Sequence, residues 1–169
     1  MPDVINKINF SFDRYIYEYI KNLPKIICFL EPNYITIFNY FVTLLLGYLI
    51  YTDKSILIII LLAIFRSILD ILDGAIARKC DKTTKFGAKL DVLGDILSAL
   101  TITIIFYIKS KNNIKIFFMI LIILGSFVSL DLYINYNIIY KYKVIELIHD
   151  NTIIVLPLFI LISMYLIKK

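Results

Sequence analysis

Long apolar runs separated by short, basic connections set the pattern of the chain. Residues 33–52, 55–77, 86–108, 114–136 and 152–167 each approach the ~20 mostly apolar positions that a helix needs to cross a hydrocarbon core. The second run carries Arg66, Asp70 and Asp73 in its second half, and the third carries Asp91 and Asp95 in its first half. The fourth is interrupted only by Asp131. The fifth is short but closed by Lys168 and Lys169, whose long stems can lift their charges to the interface. Residues 137–150 are rich in Tyr, Lys and Ile, and periodicity leaves open whether they extend the fourth run or form part of a sixth. The pattern predicts an all-α, polytopic transmembrane helix bundle of five clear spans, or six.

The first thirty residues follow another rhythm. Phe12, Tyr15, Ile16, Tyr19, Ile20 and Leu23 recur on one helical face, with Asp13, Arg14, Glu18 and Lys21 on the other. Such a segment suits a surface helix lying along the membrane better than one crossing it, the alternative being a packing helix of a soluble cap. Pro24 ends it and Pro32 marks the start of the first span. The chain therefore divides into an amphipathic interfacial segment, residues 1–31, and a transmembrane domain, residues 32–169. No charged, apolar and cleavage-site sequence opens the chain, so no removable signal peptide is expected.

Composition narrows the class further. Of 169 residues, 60% are hydrophobic and 18% charged, and the mean hydropathy is +0.85. Disordered, collagen-like and disulfide-scaffold chains are excluded, and so is a water-soluble globule, whose surface could not hide so much apolar side chain. The net charge of +5 sits mostly between the apolar runs. Anionic membrane lipid, not nucleic acid, is then the expected partner. Arg78, Lys79, Lys82 and Lys85, offset by Asp81, make the second connection strongly basic and place it in the cytoplasm, against the contrary vote of Lys109, Lys111 and Lys115. Cys28 and Cys80 form no motif and, with Cys80 in a cytoplasmic loop, are expected to be free thiols. His149, beside Asp150, reads as a helix-end residue, and the tyrosines within residues 133–142 as an interfacial aromatic belt.

Ionisable side chains inside apolar spans are costly and mark candidate sites. Asp70 and Asp73 share one helical face, and Asp91 and Asp95 share another. The short basic connection makes the two helices antiparallel neighbours, so the four acids can meet at one depth. Four carboxylates in apolar surroundings repel one another. A hard divalent cation held by oxygen relieves that, and Mg²⁺ commonly combines carboxylates with substrate phosphates. Gly74, Ala75, Ala77, Gly87 and Ala88 leave room for a bulky ligand near the backbone, and Arg78 offers a planar fork for phosphate oxygens. Each acid could instead serve only as an ion-pair partner, as Asp70 could for Arg66 one turn away.

The arrangement Asp70-x-x-Asp73-Gly74-x-x-Ala77-Arg78, eight residues, Gly87-x-x-x-Asp91-x-x-x-Asp95 resembles the signature of the CDP-alcohol phosphatidyltransferase family at every fixed position. Pro32-Asn33-x-Ile35-Thr36 is also similar to the start of that family's first helix. The resemblance implies that Asp70, Asp73 and Asp91 hold Mg²⁺ or Mn²⁺ on the diphosphate of CDP-diacylglycerol. It implies a CDP site at Gly74, Ala77, Arg78 and Gly87, neighboured by Asn33 and Thr36. Asp95 would be the general base for a small alcohol acceptor, with CMP released. It further implies an integral, multi-pass enzyme of phospholipid biosynthesis, facing the cytoplasm and forming a homodimer.

The sequence also departs from the family pattern. Members usually have six spans, and five are clear here. Ile96 stands where some inositol-phosphate-using members carry Arg, which disfavours that acceptor. The stretch from Asp91 to Asp95 lacks the proline common in the glycerophosphate-using branch, while Ser129-Leu130-Asp131 is faintly similar to the inositol-using enzymes. Inositol, serine and glycerol phosphate stay open as acceptors. A CDP-choline or CDP-ethanolamine type phosphotransferase, a non-catalytic scaffold and a cation transporter are the other readings. A transporter would spread its acids along a pathway, whereas these crowd at one end of two helices.

Overall fold

The computed structural model describes residues 12–22, 24–111, 114–115, 117–121 and 152–168. The expectations for Asp131, His149, the tyrosine belt and residues 137–150 lie outside these. Five helices are defined: α1 (Phe12–Lys21), α2 (Pro32–Tyr51), α3 (Ile56–Lys79), α4 (Lys85–Lys109) and α5 (Thr152–Lys168), with a 3-10 turn at Lys25–Phe29 between α1 and α2. Residues 117–121 are helical as well, and no strand occurs among the described residues.

Local chemistry sets the boundaries. Pro32 sits in the first turn of α2, where its missing N–H costs nothing. α2 and α3 end alike, each with an aspartate in the left-handed region: Asp53 at φ 52° and Asp81 at φ 53°. Past each aspartate, the next amide reaches back to an orphan carbonyl of the helix, Lys54 to Leu49 (3.1 Å) and Lys82 to Ala77 (2.9 Å). Thr84 opens α4 by accepting a hydrogen bond from the Gly87 amide at 2.9 Å. Two short connections thus fold α2, α3 and α4 into successive antiparallel hairpins.

The packing order differs from the chain order. α2 packs against both α3 and α4, whereas α3 and α4 make little direct contact with each other, and α5 packs mainly on α3. At the end away from the acids, Leu46, Ile50, Ile59, Ala63, Ile102, Phe106, Phe118, Ile160 and Met164 form a closed apolar core. Phe106 stacks on Phe118 there, with ring centroids 5.6 Å apart. Outside, Phe38, Phe41, Leu44, Leu57, Leu61, Leu97, Ile104 and Ile162 stay exposed, while Thr36, Asn39, Thr43, Arg66, Ser67, Asp73 and Ser98 are buried between helices. An apolar exterior over a polar interior is the arrangement that lipid selects, because apolar packing between helices gains little when lipid is equally apolar.

The span count needs correction. Among the described residues, two helices are long and apolar enough to cross a membrane, Pro32–Tyr51 and Lys85–Lys109. α3 is longer than α2, with 24 residues, but Arg66, Asp70 and Asp73 interrupt its apolar run. α5 is apolar but has only 17 residues, and most of the fourth run lies outside the described residues. The expected count of five took α3 as a span despite these charges.

Two glycines let α4 approach α2 closely. A Cβ on Gly47 would come within 2.7 Å of the Ile105 Cδ1 end, and one on Gly94 within 2.5 Å of Tyr40 Cε1. Ile105 can swing away. Tyr40 cannot easily do so, because its hydroxyl donates to the Leu90 carbonyl. Gly94→Ala should therefore lower the thermal unfolding midpoint in detergent more than Gly47→Ala, the overpacking costing about 1–3 kcal/mol. Equal midpoints would show that the Tyr40 ring relocates freely.

Candidate functional site

α2 supplies a polar stripe at helical spacing, and the acids of α3 pack against it. Thr36 Oγ1 donates to Asp73 Oδ2 at 2.6 Å. One turn deeper, Asn39 Nδ2 donates to Asp70 Oδ1 at 3.2 Å. A further turn along, Thr43 and Ser98 of α4 bring their hydroxyls to 3.5 Å. Asp73 is buried at 4% exposure, so its bond to Thr36 replaces one that water would otherwise make.

Across the gap between α3 and α4, Arg66 joins the two acidic faces. Its Nη2 donates to Asp70 Oδ1 at 3.2 Å and to Asp95 Oδ1 at 3.0 Å. Asp95 is half exposed, whereas the Arg66 side chain is 5% exposed. Asp91 lies one turn before Asp95 on α4 and is partly buried. The guanidinium of Arg78 folds back over Gly74, where a Cβ would sit 3.1 Å from Nη2. Gly87, at the start of α4, meets Asn33 at the start of α2: a Cβ there would lie 3.0 Å from Asn33 Oδ1. Ala77 occupies the same α3 turn as Arg78 and is partly buried.

The expected residues are therefore distributed over three helices, with Asn33 beside Gly87, Thr36 on Asp73, and Arg78 over Gly74. Asn39, Tyr40 and Arg66 were not among them. Asn39 had a signal in the spacing Thr36, Asn39, Thr43, a polar repeat inside an apolar run. Arg66 had one in being an intramembrane charge, but it was weighed only as an alternative partner for Asp70.

Among the described residues, no three His, Cys, Asp or Glu side chains are gathered closely enough to hold a metal as they stand. The donor chemistry nevertheless suits a hard divalent cation. Asp70, Asp73 and Asp91 are oxygen donors, and Asn39 Oδ1 is buried without a hydrogen-bond partner beside Asp70.

The rim of this end is tied down by the segment after α1. Lys79 Nζ donates to the carbonyls of Ile20 (3.3 Å) and Lys21 (2.8 Å) at the end of α1. Lys82 Nζ reaches the carbonyls of Cys28 (2.8 Å) and Leu30 (3.2 Å) and pairs with Glu31 at 2.6 Å. Cys28 and Cys80 are not free thiols: they form a disulfide, with Cα atoms 5.6 Å apart. The expectation rested on the absence of a motif and on the compartment assigned to Cys80. The 3-10 turn lays Cys28 onto the end of α3 despite a separation of 52 residues, at a distance that a disulfide spans.

The comparisons accord with this geometry. The family model described as CDP-alcohol phosphatidyltransferase matches residues 29–169. The chain belongs to this family. It is 44% identical over 73 residues to the archaetidylinositol phosphate synthase of Pyrococcus horikoshii, covering 43% of this chain and 38% of that protein. It is 33% identical over 103 residues to inner membrane protein YnbA of Escherichia coli, covering 58% of this chain and 51% of that one. The matched stretches thus span about half or less of these relatives' own lengths. No solved structure matches the chain. As a member of this family the chain is a membrane protein, and the signature at Asp70–Asp95 falls on α3 and the start of α4.

Reduction, or Cys28→Ser, should raise amide hydrogen exchange across residues 24–31 by at least about tenfold, because a disulfide contributes about 2–4 kcal/mol. Unchanged exchange would mean that Lys79 and Lys82 hold the segment unaided.

Proposed function

We propose that the protein transfers the phosphatidyl group of a CDP-activated lipid such as CDP-diacylglycerol to a small alcohol, releasing CMP, as a step of phospholipid biosynthesis. The observation that carries this reading is that the eight signature positions lie on two antiparallel helices backed by the Thr36–Asn39 stripe of α2, with Asp70 and Asp73 bonded to it. The bundle would cross the membrane several times. Its basic, signature-bearing end would face the cytoplasm, with residues 1–31 along the interface and a second copy of the chain as partner.

In this reading Asp70, Asp73 and Asp91 hold Mg²⁺ or Mn²⁺. When bound, such an ion neutralises charge on the diphosphate and on the departing CMP. Arg78 adds a bidentate donor for phosphate oxygens beside Gly74. Gly87 and Asn33 line the nucleotide end, and the absent Cβ of Gly87 lets the Asn33 amide stand against the α4 backbone. Asp95, half exposed, takes the proton of the acceptor hydroxyl. That oxygen attacks the phosphorus attached to the lipid, a new P–O bond forms, and the bond to CMP breaks.

Inositol phosphate is the first acceptor to try, given the name of the Pyrococcus relative. Ile96 speaks against it, which makes glycerol phosphate, serine and inositol necessary arms of the same assay. Purified protein in lipid nanodiscs, supplied with CDP-diacylglycerol and Mg²⁺ or Mn²⁺, should release CMP only with its acceptor and stop on chelation. Protein that binds the CDP-lipid yet releases CMP with none of the acceptors would refute the transfer. Asp95→Asn should lower kcat by about 10²–10⁴-fold while CDP-lipid binding persists. A parallel collapse of binding would make Asp95 a metal ligand instead. Asp73→Ala should abolish metal-dependent CDP binding, and unchanged affinity would discredit the metal site.

A further inference from the structure

Arg66 is the charged residue of this end that no signature position explains. It lies one turn before Asp70, buried at 4% exposure. Its Nη2 bridges α3 and α4, at 3.2 Å from Asp70 Oδ1 and 3.0 Å from Asp95 Oδ1. These two helices pack little on each other directly, and this link ties their acidic faces together at the level of Asp70 and Asp95. A buried ion pair is a poor way to stabilise a bundle, because an apolar residue of similar size does as well without the desolvation cost. The guanidinium is also not saturated by a structural network, since its Nε is buried without a hydrogen-bond partner.

The exposures give the link a direction. Arg66 takes Oδ1 of Asp95 on the closed side, while half of the Asp95 side chain faces outward. A carboxylate anchored through one oxygen is fixed in rotamer and in the bearing of the other.

We propose that Arg66 is a positioning residue for the transfer: by holding Oδ1 of Asp95 it presents Oδ2 to the acceptor hydroxyl, and by holding Asp70 with the same nitrogen it sets the spacing between the proton acceptor and the metal-holding acids. This rests on the reading of Asp95 as general base. Arg66 itself touches neither substrate nor metal.

The test compares Arg66→Lys and Arg66→Gln in nanodiscs, measuring Mn²⁺-dependent CDP binding alongside kcat and KM. Lysine keeps the charge but not the planar fork, so it folds under the same electrostatic constraint. Both variants should lose kcat, by about 10²-fold for Gln and less for Lys, as expected when a reacting group is displaced by about 1 Å. CDP affinity and the KM for CDP-lipid should stay within about threefold, because Asp70 keeps its bond to Asn39, while displacement of Asp95 acts on the transition state and not on ground-state binding. Unchanged kcat in both variants overturns the proposal. So does a proportional loss of CDP binding and kcat in both, which would make Arg66 a structural strut. Asp95→Asn assayed in parallel separates the two readings. If it retains kcat, the general-base assignment falls and this proposal with it. If it is inactive while both Arg66 variants are fully active, only the positioning role falls.

Discussion

Several charged side chains must sit between helices that are otherwise apolar, and the rest of the bundle answers to that constraint. An isolated charge in such surroundings is expensive, so each buried one must find a partner within reach. Asp73 finds Thr36, Asp70 finds Asn39 and Arg66, and Asp95 finds Arg66. All these partners lie on helix faces turned inward. Many large apolar side chains of the same helices, Phe38, Phe41, Leu61 and Leu97 among them, are turned outward. α2 becomes central because it carries the neutral polar groups that both acid-bearing helices need, and Gly47 and Gly94 let α4 come close enough to it.

The same end is also where the chain is most heavily fastened. A disulfide and two lysines join residues 20–31 to residues 79–82, immediately after the signature turn at Arg78. Helix ends leave carbonyls without partners, and Lys79 and Lys82 answer those of α1 and the 3-10 turn. Basic residues that read as a topology signal in the sequence thus have a second task in the fold, as C-terminal caps. At the opposite end Lys109 does the same, reaching the Tyr51 carbonyl at 2.9 Å and Asp53 at 2.5 Å.

What the sequence disclosed follows from the range of each interaction. Helix identity and boundaries were legible because they depend on local signals: Pro32 at the start of α2, Thr84 at the start of α4, apolar runs between. The four acids were legible because charges inside such runs are conspicuous and their spacing fixes the face. The packing order was not legible. Sequence proximity put α3 and α4 side by side, whereas both lean on α2. The disulfide was hidden for the same reason, since a separation of 52 residues carries no local trace. Arg66 lay between these cases, visible as a charge, but its bond to Asp95 needed the approach of a second helix.

The polar groups are graded along the axis, and the grading bears on the order of events. With a rise of about 1.5 Å per residue, Asn33 and Gly87 stand at the helix starts, Thr36 with Asp73 about a turn deeper, and Asn39 with Asp70 a turn beyond. Arg66 and Asp95 follow, then Thr43 and Ser98, and finally the closed apolar core around Leu46 and Ile102. On the proposed reading, the most hydrated partner of the reaction, the nucleotide, meets the outermost groups. The diphosphate meets the acids, and proton transfer occurs at the innermost charged level, next to the closed apolar core. Water is the competing nucleophile in any such transfer. Half of the Asp95 side chain stays exposed, so an alcohol held by the site must take the place at Asp95 that water would otherwise occupy.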